Sequence, residues 1–294
     1  MLKKFLIINP FGIGDVLFTT PVIRAIKEAY PDSFMAYWCN LRVKDVLKDN
    51  PHIDKIWSLS RGDIKKIFKQ SKWKGLTTSL DLLQQLRKAE FDICFDFSLD
   101  WRYGLLTKLA GIKKRVGFNY KKRGRFLTEK IDIDGYNDKH VVDYYLDLLK
   151  IIDIIPKHKN LDLFISEEQR GHAKGVLANL GVTESELLFA IAPGGGASWG
   201  KDAYLKHWPQ EKFAQLVDRL SDDFIAKILI LGDTQEKEIA KEILARIKNK
   251  NRVIDLVGKI SLEELVAIIN YLEILITNDA GPLHIAVALN KKSV

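Results

Sequence analysis

The sequence predicts an α/β protein of two domains, each a mainly parallel β-sheet with helices on both faces. Two observations carry this prediction. Short apolar runs alternate with amphipathic, helix-like segments along most of the 294 residues. The alternation then stops at Ile155–Asn160, a stretch with one proline and basic residues, and starts again. Because strands that alternate with helices form parallel sheets, we predict domains over 1–155 and 161–294.

The first domain begins with a short apolar run that ends at a polar residue, as a buried strand does. The same pattern predicts strands at Phe5–Asn9, Phe34–Cys39, Lys55–Leu59, Asp92–Asp96 and Lys114–Gly117. Amphipathic spacing predicts helices at Val16–Tyr30, Val43–Lys48, Asp63–Gln70, Thr78–Lys88, Arg102–Ala110 and Val141–Lys150.

The second domain repeats the alternation. Strands are predicted at Leu188–Ala192, Ile225–Leu231, Val253–Asp255 and Leu272–Thr277. Helices are predicted at Glu167–Leu180, Gln210–Leu220, Thr234–Lys248, Ser261–Ile269 and His284–Leu289. The two halves make a double Rossmann-like layout. Because open α/β sheets bind ligands at the carboxyl ends of their strands, we expect a site in the cleft between the halves.

Composition excludes several classes of protein. The 47% hydrophobic and 29% charged residues are typical of a soluble globular chain, and no apolar run reaches the roughly 18 residues that cross a bilayer. Cys39 and Cys94 lie in apolar segments, which indicates reduced core thiols and a cytoplasmic protein. No CxxC or HExxH motif predicts a metal site.

Positive charge is concentrated in the first domain. Residues 1–160 contain 30 Lys and Arg against 19 Asp and Glu, whereas residues 161–294 contain 16 against 19. The excess forms two clusters, at 61–74 and 113–125. Such clusters are either solvated surface or the site of an anionic partner: a phosphorylated substrate, an anionic membrane surface or nucleic acid. We do not expect nucleic acid, because no recognition helix or aromatic stacking platform is evident.

Two loops that follow predicted strands carry candidate acidic residues. In the loop from Asn9 to Asp15, Gly12 and Gly14 leave room for close backbone approach, and Asp15 is either a helix N-cap or a general base. In the later loop, after the strand Ile225–Leu231, Glu236 lies in the first turn of the predicted helix. It either complements the helix dipole or accepts hydrogen bonds from a ribose diol.

Two further loops carry groups that suit an anion. The loop Pro193–Pro209 has four glycines, and Ser198, Lys201 and Lys206 could donate hydrogen bonds. The alternative is a plain connector. Thr277–Asn290 predicts a strand, a tight turn and a helix N-terminus, where free N–H groups bind phosphate. There the alternative is an ordinary turn capped by Asn278 or Asp279.

Four motifs occur in order along the chain: Ile13–Leu17 followed by Thr20-Pro21, the Asp-rich stretch Asp92–Gly117, Ala197–Trp199 with Lys206–Pro209, and Asn278–His284. Together they resemble glycosyltransferase family 9, the heptosyltransferases of lipopolysaccharide core assembly. Ala280 stands where that family commonly has Ser or Thr. Relatives continue for several tens of residues past the position of Val294, so we expect the second domain to be truncated.

The resemblance implies a GT-B fold and an inverting, metal-independent transfer from a nucleotide-diphospho-sugar, typically ADP-heptose, with no other cofactor. Asp15 would be the general base. The donor contacts implied are Ser198, Lys206, Glu236, Asp279, Gly281, Pro282 and His284. The acceptor contacts expected are Gly14, Arg102, Arg115, Asn119 and Lys121. The acceptor would be a phosphorylated, lipid-linked oligosaccharide at the inner membrane, met by a cytoplasmic protein in peripheral contact with the anionic surface.

Two alternatives stay open at this point. The first is a transferase of the same fold that uses another nucleotide sugar. The second is a non-catalytic protein that binds nucleotide sugars, because a fold alone does not guarantee chemistry.

Overall fold

The computed structural model divides the chain into two compact units, Met1–Asp162 and Leu163–Val294. It describes residues 2–59, 61–183, 185–196 and 204–294. Each unit has one parallel β-sheet, and helices connect its strands. This arrangement confirms the α/β class that the alternating apolar runs predict.

The first unit is built on a six-stranded sheet in which every neighbouring pair of strands is parallel. Its strands are β1 (Lys4–Asn9), β2 (Phe34–Cys39), β3 (Lys55–Trp57), β4 (Ile93–Asp96), β5 (Lys114–Tyr120) and β6 (Glu129–Ile133). Their order across the sheet is β3-β2-β1-β4-β5-β6. Its helices are α1 (Ile13–Leu17), α2 (Thr20–Ala29), α3 (Arg61–Gln70), α4 (Lys72–Ala89), α5 (Trp101–Leu109) and α6 (Val141–Asp147).

Both faces of this sheet are buried, which is why β1 reads as a continuous apolar run. Phe5 and Ile7 belong to one hydrophobic core, together with residues of α2 and α6. Leu6 and Ile8 point to the other face and pack with a second core that includes Leu86 of α4. All four of these strand side chains are fully buried.

The predicted single helix over Val16–Tyr30 is wrong, because the segment is two helices, α1 and α2. Pro21 has no N–H to donate to the carbonyl of Leu17, four residues earlier. The hydroxyl of Thr20 donates to that carbonyl instead, at 2.7 Å. Thr19 likewise donates to the Val16 carbonyl at 2.6 Å. The break leaves α1 as a short, separate turn directly after β1.

Other elements also differ from prediction. The segment predicted as a helix over Val43–Lys48 is a 3-10 helix, Leu41–Val46. Helix α4 begins at Lys72, because the Ser71 hydroxyl accepts a bond from the Lys74 N–H at 3.2 Å and caps it. Strand β6 was not predicted, because it lies at the sheet edge and is largely exposed.

The second unit is a five-stranded parallel sheet. Its strands are β7 (Leu187–Ala192), β8 (Ala226–Ile230), β9 (Val253–Asp255), β10 (Ile274–Thr277) and β11 (Lys292–Ser293), in the order β11-β10-β7-β8-β9. Its helices are α7 (Glu167–Asn179), α8 (Gln210–Asp223), α9 (Lys237–Arg246), α10 (Leu262–Ile269) and α11 (Gly281–Ala288). Ile191, Ile228 and Ile230 are fully buried in its core against Phe213 and Ile243.

Parallel pairing determines where the candidate loops lie within each unit. In the first unit, β4 pairs with β1 on one side and β5 on the other, so the loops after these strands share one edge of the sheet. In the second unit, β7 pairs with β8 and β10, so their loops also share one edge. Each edge is the carboxyl end of its sheet, where ligands of open α/β folds bind.

Candidate functional site

Asp15 lies at the carboxyl edge of the first sheet, in a loop that a buried asparagine holds in place. The side-chain N–H of Asn9 donates to the Asp15 carbonyl at 2.9 Å, and its Oδ1 accepts from the Phe11 N–H at 3.2 Å. Gly12 is the N-cap of α1, and its N–H donates to Asp15 Oδ2 at 3.3 Å. Asp15 is therefore not the N-cap itself, but from position N3 its carboxylate caps the N-cap N–H, so a capping role stays open beside that of a general base. Gly14 is buried within α1, and its expected contact with an acceptor stays a prediction.

The surroundings of Asp15 include three tyrosines. Burial raises the pKa of Tyr37 and Tyr145 well above the ordinary value, and the negative charge of Asp15 raises them further. Burial also raises the pKa of Tyr136 to about 12, with a smaller contribution from Asp15. These phenols therefore stay protonated near neutral pH. The Asp15 residue is half-buried at this edge of the sheet, and its charge acts on all three phenols.

Two of the expected acceptor contacts present exposed charge near this edge. Arg102 is at the start of α5, directly after β4, and its side chain is 49% exposed while it pairs with Asp100 at 3.0 Å. Its guanidinium lies 4.8 Å from the centre of the Trp101 ring. Lys121 follows β5, is exposed, and has a positive φ of 47° that turns the chain sharply. Both residues can offer positive charge to an anionic ligand.

Arg115 and Asn119, also expected as acceptor contacts, both form hydrogen bonds within the protein, and their role toward an acceptor stays a prediction. The Arg115 guanidinium donates to the Phe126 carbonyl at 2.7 Å and to further backbone carbonyls, and burial lowers its pKa. Asn119 donates to Asp132 at 2.6 Å and accepts from the Gly124 N–H at 3.0 Å. These bonds fasten the basic turn after β5 and leave few donors for a ligand.

Asp96 is a buried carboxyl at the end of β4. Burial raises its pKa from 3.8 to about 6, although hydrogen bonds from Ser98 oppose the rise. The Ser98 N–H donates to Asp96 Oδ1 at 2.9 Å. Asp96 is next to Ile8 in the parallel register, so a partly protonated acid lies beneath the loop that carries Asp15.

In the second unit, α11 presents an N-terminus that no side chain of its N-cap satisfies. The N-cap is Ala280, which has no side-chain oxygen, and the helix begins at Gly281 and Pro282. The alternative that Asn278 or Asp279 simply caps this helix is therefore wrong. Pro282 has no N–H, and the Leu283 N–H donates to the Ala280 carbonyl at 3.1 Å. The Gly281 backbone and the positive end of the helix dipole are what this N-terminus offers to an anion.

Lys206 and His284 converge on Asp279 beside this N-terminus. Lys206 Nζ lies 2.5 Å from Asp279 Oδ2 and 3.3 Å from the Asp279 carbonyl oxygen. His284 Nε2 lies 3.8 Å from Asp279 Oδ1. The Lys206 side chain is 18% exposed, whereas that of Asp279 is 62% exposed. An exposed carboxylate thus lies between two groups that can also donate to another anion.

Asn278 joins three segments around this cluster. Its Nδ2 donates to the Pro193 carbonyl at 2.7 Å and to the Gly194 carbonyl at 3.3 Å. Its Oδ1 accepts from the Trp208 N–H at 3.2 Å. The loop after β7 and the segment with Lys206 are therefore both fastened to the end of β10.

Glu236 connects the loops after β7 and β8. Its Oε2 accepts from the Asp233 N–H at 2.9 Å, and the backbone N–H of Gly196 also donates to it. A Cβ at Gly194 would overlap its carboxyl group, and one at Gly232 would lie 2.7 Å from Oε2. Burial raises the pKa of Glu236. The two glycines are therefore needed for the close approach of this carboxyl to the β7 loop.

The sequence predicted no role for Asn9 and none for the hydrogen bonds of Asn278. Each is a polar residue at the carboxyl end of an apolar strand, a signal that could have identified them. Ser198 and Lys201 lie outside the described residues. Among residues 2–59, 61–183, 185–196 and 204–294, no group of three or more His, Cys, Asp or Glu could hold a metal ion. No helix in those ranges has the length and apolar character needed to cross a membrane.

Comparison with known proteins identifies relatives along the whole chain. The family model described as glycosyltransferase family 9 (heptosyltransferase) matches residues 79–294. Lipopolysaccharide heptosyltransferase 1 of Campylobacter coli is 26% identical over 99% of this chain and 82% of its own length. Lipopolysaccharide heptosyltransferase 3 of Escherichia coli K12 is 23% identical over 94% of this chain and 77% of its own.

Solved structures agree on the fold. A family 9 glycosyltransferase from Veillonella parvula superposes with a TM-score of 0.84 at 22% identity, over 99% of this chain and 80% of the other. The E. coli ADP-heptose lps heptosyltransferase II gives 0.79 at 21% identity, over 99% and 83%. The E. coli heptosyltransferase WaaC with ADP-2-deoxy-2-fluoro heptose gives 0.76 at 19% identity, over 99% and 87%. These similarities confirm the expected GT-B fold.

Proposed function

We propose a specific reaction for this chain, which belongs to glycosyltransferase family 9 and is therefore a glycosyltransferase. The reaction is the inverting transfer of a heptose from ADP-heptose to a hydroxyl of the lipopolysaccharide core or a related surface glycan. The names of the curated relatives suggest this acceptor. The ligand of the solved WaaC structure suggests this donor.

The observation that carries the proposal is the cluster of Lys206, His284 and the N-terminus of α11 around Asp279. A nucleoside diphosphate brings two phosphates that need several donors. Because the Asp279 carboxylate is largely exposed, it can rotate away and leave Lys206 and His284 to the diphosphate. The positive end of α11, with the Gly281 backbone, would bind the same ligand without a metal ion.

The remaining donor contacts follow from position. Gly281 and Pro282 form the first turn of α11, where Gly281 allows the phosphate to approach the backbone. Glu236 would accept hydrogen bonds from the ribose hydroxyls with the lone pairs that its backbone partners leave unused. Asp279, once displaced from Lys206, would contact the donor sugar. Ser198 would add a hydroxyl donor from the loop after β7.

Asp15 is the proposed general base. The acceptor hydroxyl attacks the anomeric carbon, the bond to the ADP oxygen breaks, and Asp15 takes the hydroxyl proton. Attack opposite to the leaving group inverts the anomeric centre. Lys206, His284 and the α11 N-terminus would stabilise the charge that develops on the leaving diphosphate. Asn9 and Gly12 would keep the Asp15 carboxylate oriented for this step.

The acceptor side of the proposal uses Arg102 and Lys121. Both are exposed at the carboxyl edge of the first sheet, the same edge at which Asp15 lies. Their positive charge suits a phosphorylated, lipid-linked oligosaccharide. We propose that the protein reaches this acceptor from the cytoplasmic side, in peripheral contact with the inner membrane.

The substitution Asp15→Asn tests the catalytic part of the proposal. We expect ADP-heptose to bind with unchanged affinity by calorimetry, while transfer falls at least 100-fold because general-base catalysis is lost. The matched control is Asp222→Asn, an exposed acid on α8. If Asp15→Asn transfers heptose at the wild-type rate, Asp15 is not the base.

A thermal-shift series with ADP-, GDP- and UDP-sugars tests the donor. A ligand that binds only the folded state raises the melting temperature. We expect ADP-heptose to give the largest rise. A response to UDP-sugars alone would replace ADP-heptose with another donor, and binding of ADP-heptose without any transfer would leave a non-catalytic nucleotide-sugar-binding protein.

A further inference from the structure

The helical hairpin formed by α3 and α4 has two apolar faces, of which the core uses one. On the inner face, Leu82 and Leu86 of α4 are buried in a core of the first unit. Gly75 is on the same face, and a Cβ there would lie 2.5 Å from the Phe68 ring of α3, so this glycine lets the two helices close together. The inner face therefore supplies the contacts that pack the hairpin onto the core of the first unit.

The outer face of α4 carries a second apolar stripe, formed by Trp73, Leu76 and Leu80. Their spacing of three and then four residues places them on one side of the helix. Trp73 is 75% exposed, Leu80 is 55% exposed and Leu76 is 46% exposed. Three large apolar side chains that are aligned and exposed mark an interaction surface, whereas a single exposed apolar residue would need no explanation.

The same hairpin is rich in exposed lysines. Lys65, Lys66, Lys69, Lys72 and Lys74 are all exposed. Between residues 61 and 80 the hairpin has six basic residues and one acidic residue. A tryptophan and leucines bordered by lysines on a surface helix is the pattern of a segment that lies in the interface of an anionic bilayer. The indole is suited to the depth of the headgroups, and long lysine stems extend to the phosphates.

We propose that the hairpin of α3 and α4 docks this enzyme on an anionic phospholipid surface, with the outer stripe of α4 inserted and the lysines on the headgroup phosphates. The inference rests on the proposed function, because a lipid-linked acceptor places the reaction at a membrane. A second copy of the chain fits this surface poorly, since a self-complementary contact would bring the lysines of both copies together. A negatively charged bilayer offers phosphates to the lysines and an apolar interior to the stripe.

The experiment is sedimentation of the full chain with vesicles. One set contains phosphatidylglycerol and phosphatidylethanolamine, and the other contains phosphatidylcholine alone. We expect binding to the anionic set and at least tenfold weaker binding to the neutral set. We also expect the binding to weaken strongly at 1 M salt, where the screening length falls to about 3 Å.

Two variants separate the apolar from the electrostatic contribution. Trp73→Ala with Leu76→Ser and Leu80→Ser should lower binding at least tenfold, with Ile225→Ser as the control, because Ile225 is 78% exposed in the second unit. Lys65→Gln with Lys66→Gln and Lys69→Gln should lower binding on the order of 100-fold, since each lysine near an anionic surface contributes about fivefold. Its control changes Lys212, Lys248 and Lys250 to Gln, which are exposed lysines of the second unit.

The outcomes distinguish this inference from the proposed function. Transfer of heptose to a water-soluble, lipid-free acceptor is measured for every variant, and we expect it to be unchanged by the hairpin substitutions. Loss of vesicle binding with unchanged transfer supports the docking surface. If the wild type does not bind anionic vesicles, or the hairpin variants bind as well as their controls, the inference is overturned even when transfer is intact. Hairpin-dependent dimerisation in the absence of vesicle binding would also overturn it.

Discussion

Replacing Asp96 with Asn should change how the stability of the first unit depends on pH. Asp96 is buried at the end of β4, and burial raises its pKa from 3.8 to about 6. A raised pKa in the folded state means that folding favours the protonated acid. The stability from this group is complete below about pH 4, falls as pH rises toward 6, and stays lost above that. Asn cannot titrate, so the variant lacks this loss.

The size of the effect follows from the shift. A rise of roughly two pKa units corresponds to about 3 kcal/mol, since one unit is about 1.4 kcal/mol. Between pH 4 and pH 7.5 about 2 to 3 kcal/mol of this should be lost in the wild type. The free energy of unfolding of Asp96→Asn minus that of the wild type should therefore be about 2 to 3 kcal/mol larger at pH 7.5 than at pH 4. Any cost of Asn that does not depend on pH cancels in this difference.

The measurement is urea unfolding at a series of pH values, followed by tryptophan fluorescence. Trp38 and Trp57 are buried in the first unit and report on its unfolding. The control is Asp147→Asn in the same unit. Burial raises the pKa of Asp147, but hydrogen bonds from Lys139 and Lys150 outweigh it and lower the pKa overall. Its stabilisation is present at neutral pH and lost in acid, so the control should show the opposite trend.

A flat difference between Asp96→Asn and wild type across this pH range would refute the reasoning. It would mean that Asp96 is ionised in the folded protein with a pKa close to its unfolded value. A difference that grows toward acid pH would refute it more strongly, because it would require the folded state to favour the carboxylate.

Three further predictions concern the site. Lys206→Met should weaken ADP binding about 10- to 100-fold, the value of a charge-assisted hydrogen bond, and leave adenosine binding unchanged by calorimetry; equal losses would contradict a diphosphate contact. Gly194→Ala should destabilise the second unit by about 1–3 kcal/mol in thermal unfolding, because its Cβ would overlap Glu236. The control Gly175→Ala in α7, with no atom near its Cβ, should stabilise the unit by about 0.5–1 kcal/mol. Asn9→Ala should lower kcat for transfer without changing ADP affinity, and a normal kcat would show that Asn9 does not position Asp15.

How much the sequence could predict depended on burial. Strand β1 was predicted because both of its faces are buried and its sequence is a continuous apolar run. Strand β6 was missed because its edge position lets Glu129, Lys130 and Asp132 face solvent. Burial on two faces gives a signal that a single sequence can show, whereas pairing at an edge depends on a neighbour that is distant in the chain.

For the candidate site, the sequence predicts where the loops lie but not which partners their side chains have. The sequence predicted a site at the carboxyl ends of the strands, and parallel pairing does bring the loops after those strands to one edge in each unit. The partners of individual side chains could not be predicted. Arg115 and Lys121 belong to the same basic cluster, yet Arg115 donates to backbone carbonyls and Lys121 is exposed. The difference arises from the path of the turn after β5, which the residue types alone do not determine.

In both units an asparagine at the end of a strand holds the neighbouring loops of the candidate site in place. The amide suits this role for a chemical reason. Asn9 donates to the Asp15 carbonyl and accepts from the Phe11 N–H, while Asn278 donates to Pro193 and accepts from Trp208. An aspartate could only accept, so it would leave the carbonyls unpaired. It would also add a negative charge beside the proposed base in one unit and beside the proposed diphosphate site in the other. An amide supplies both bonds without charge, so it can fix a loop at a site whose chemistry depends on charge.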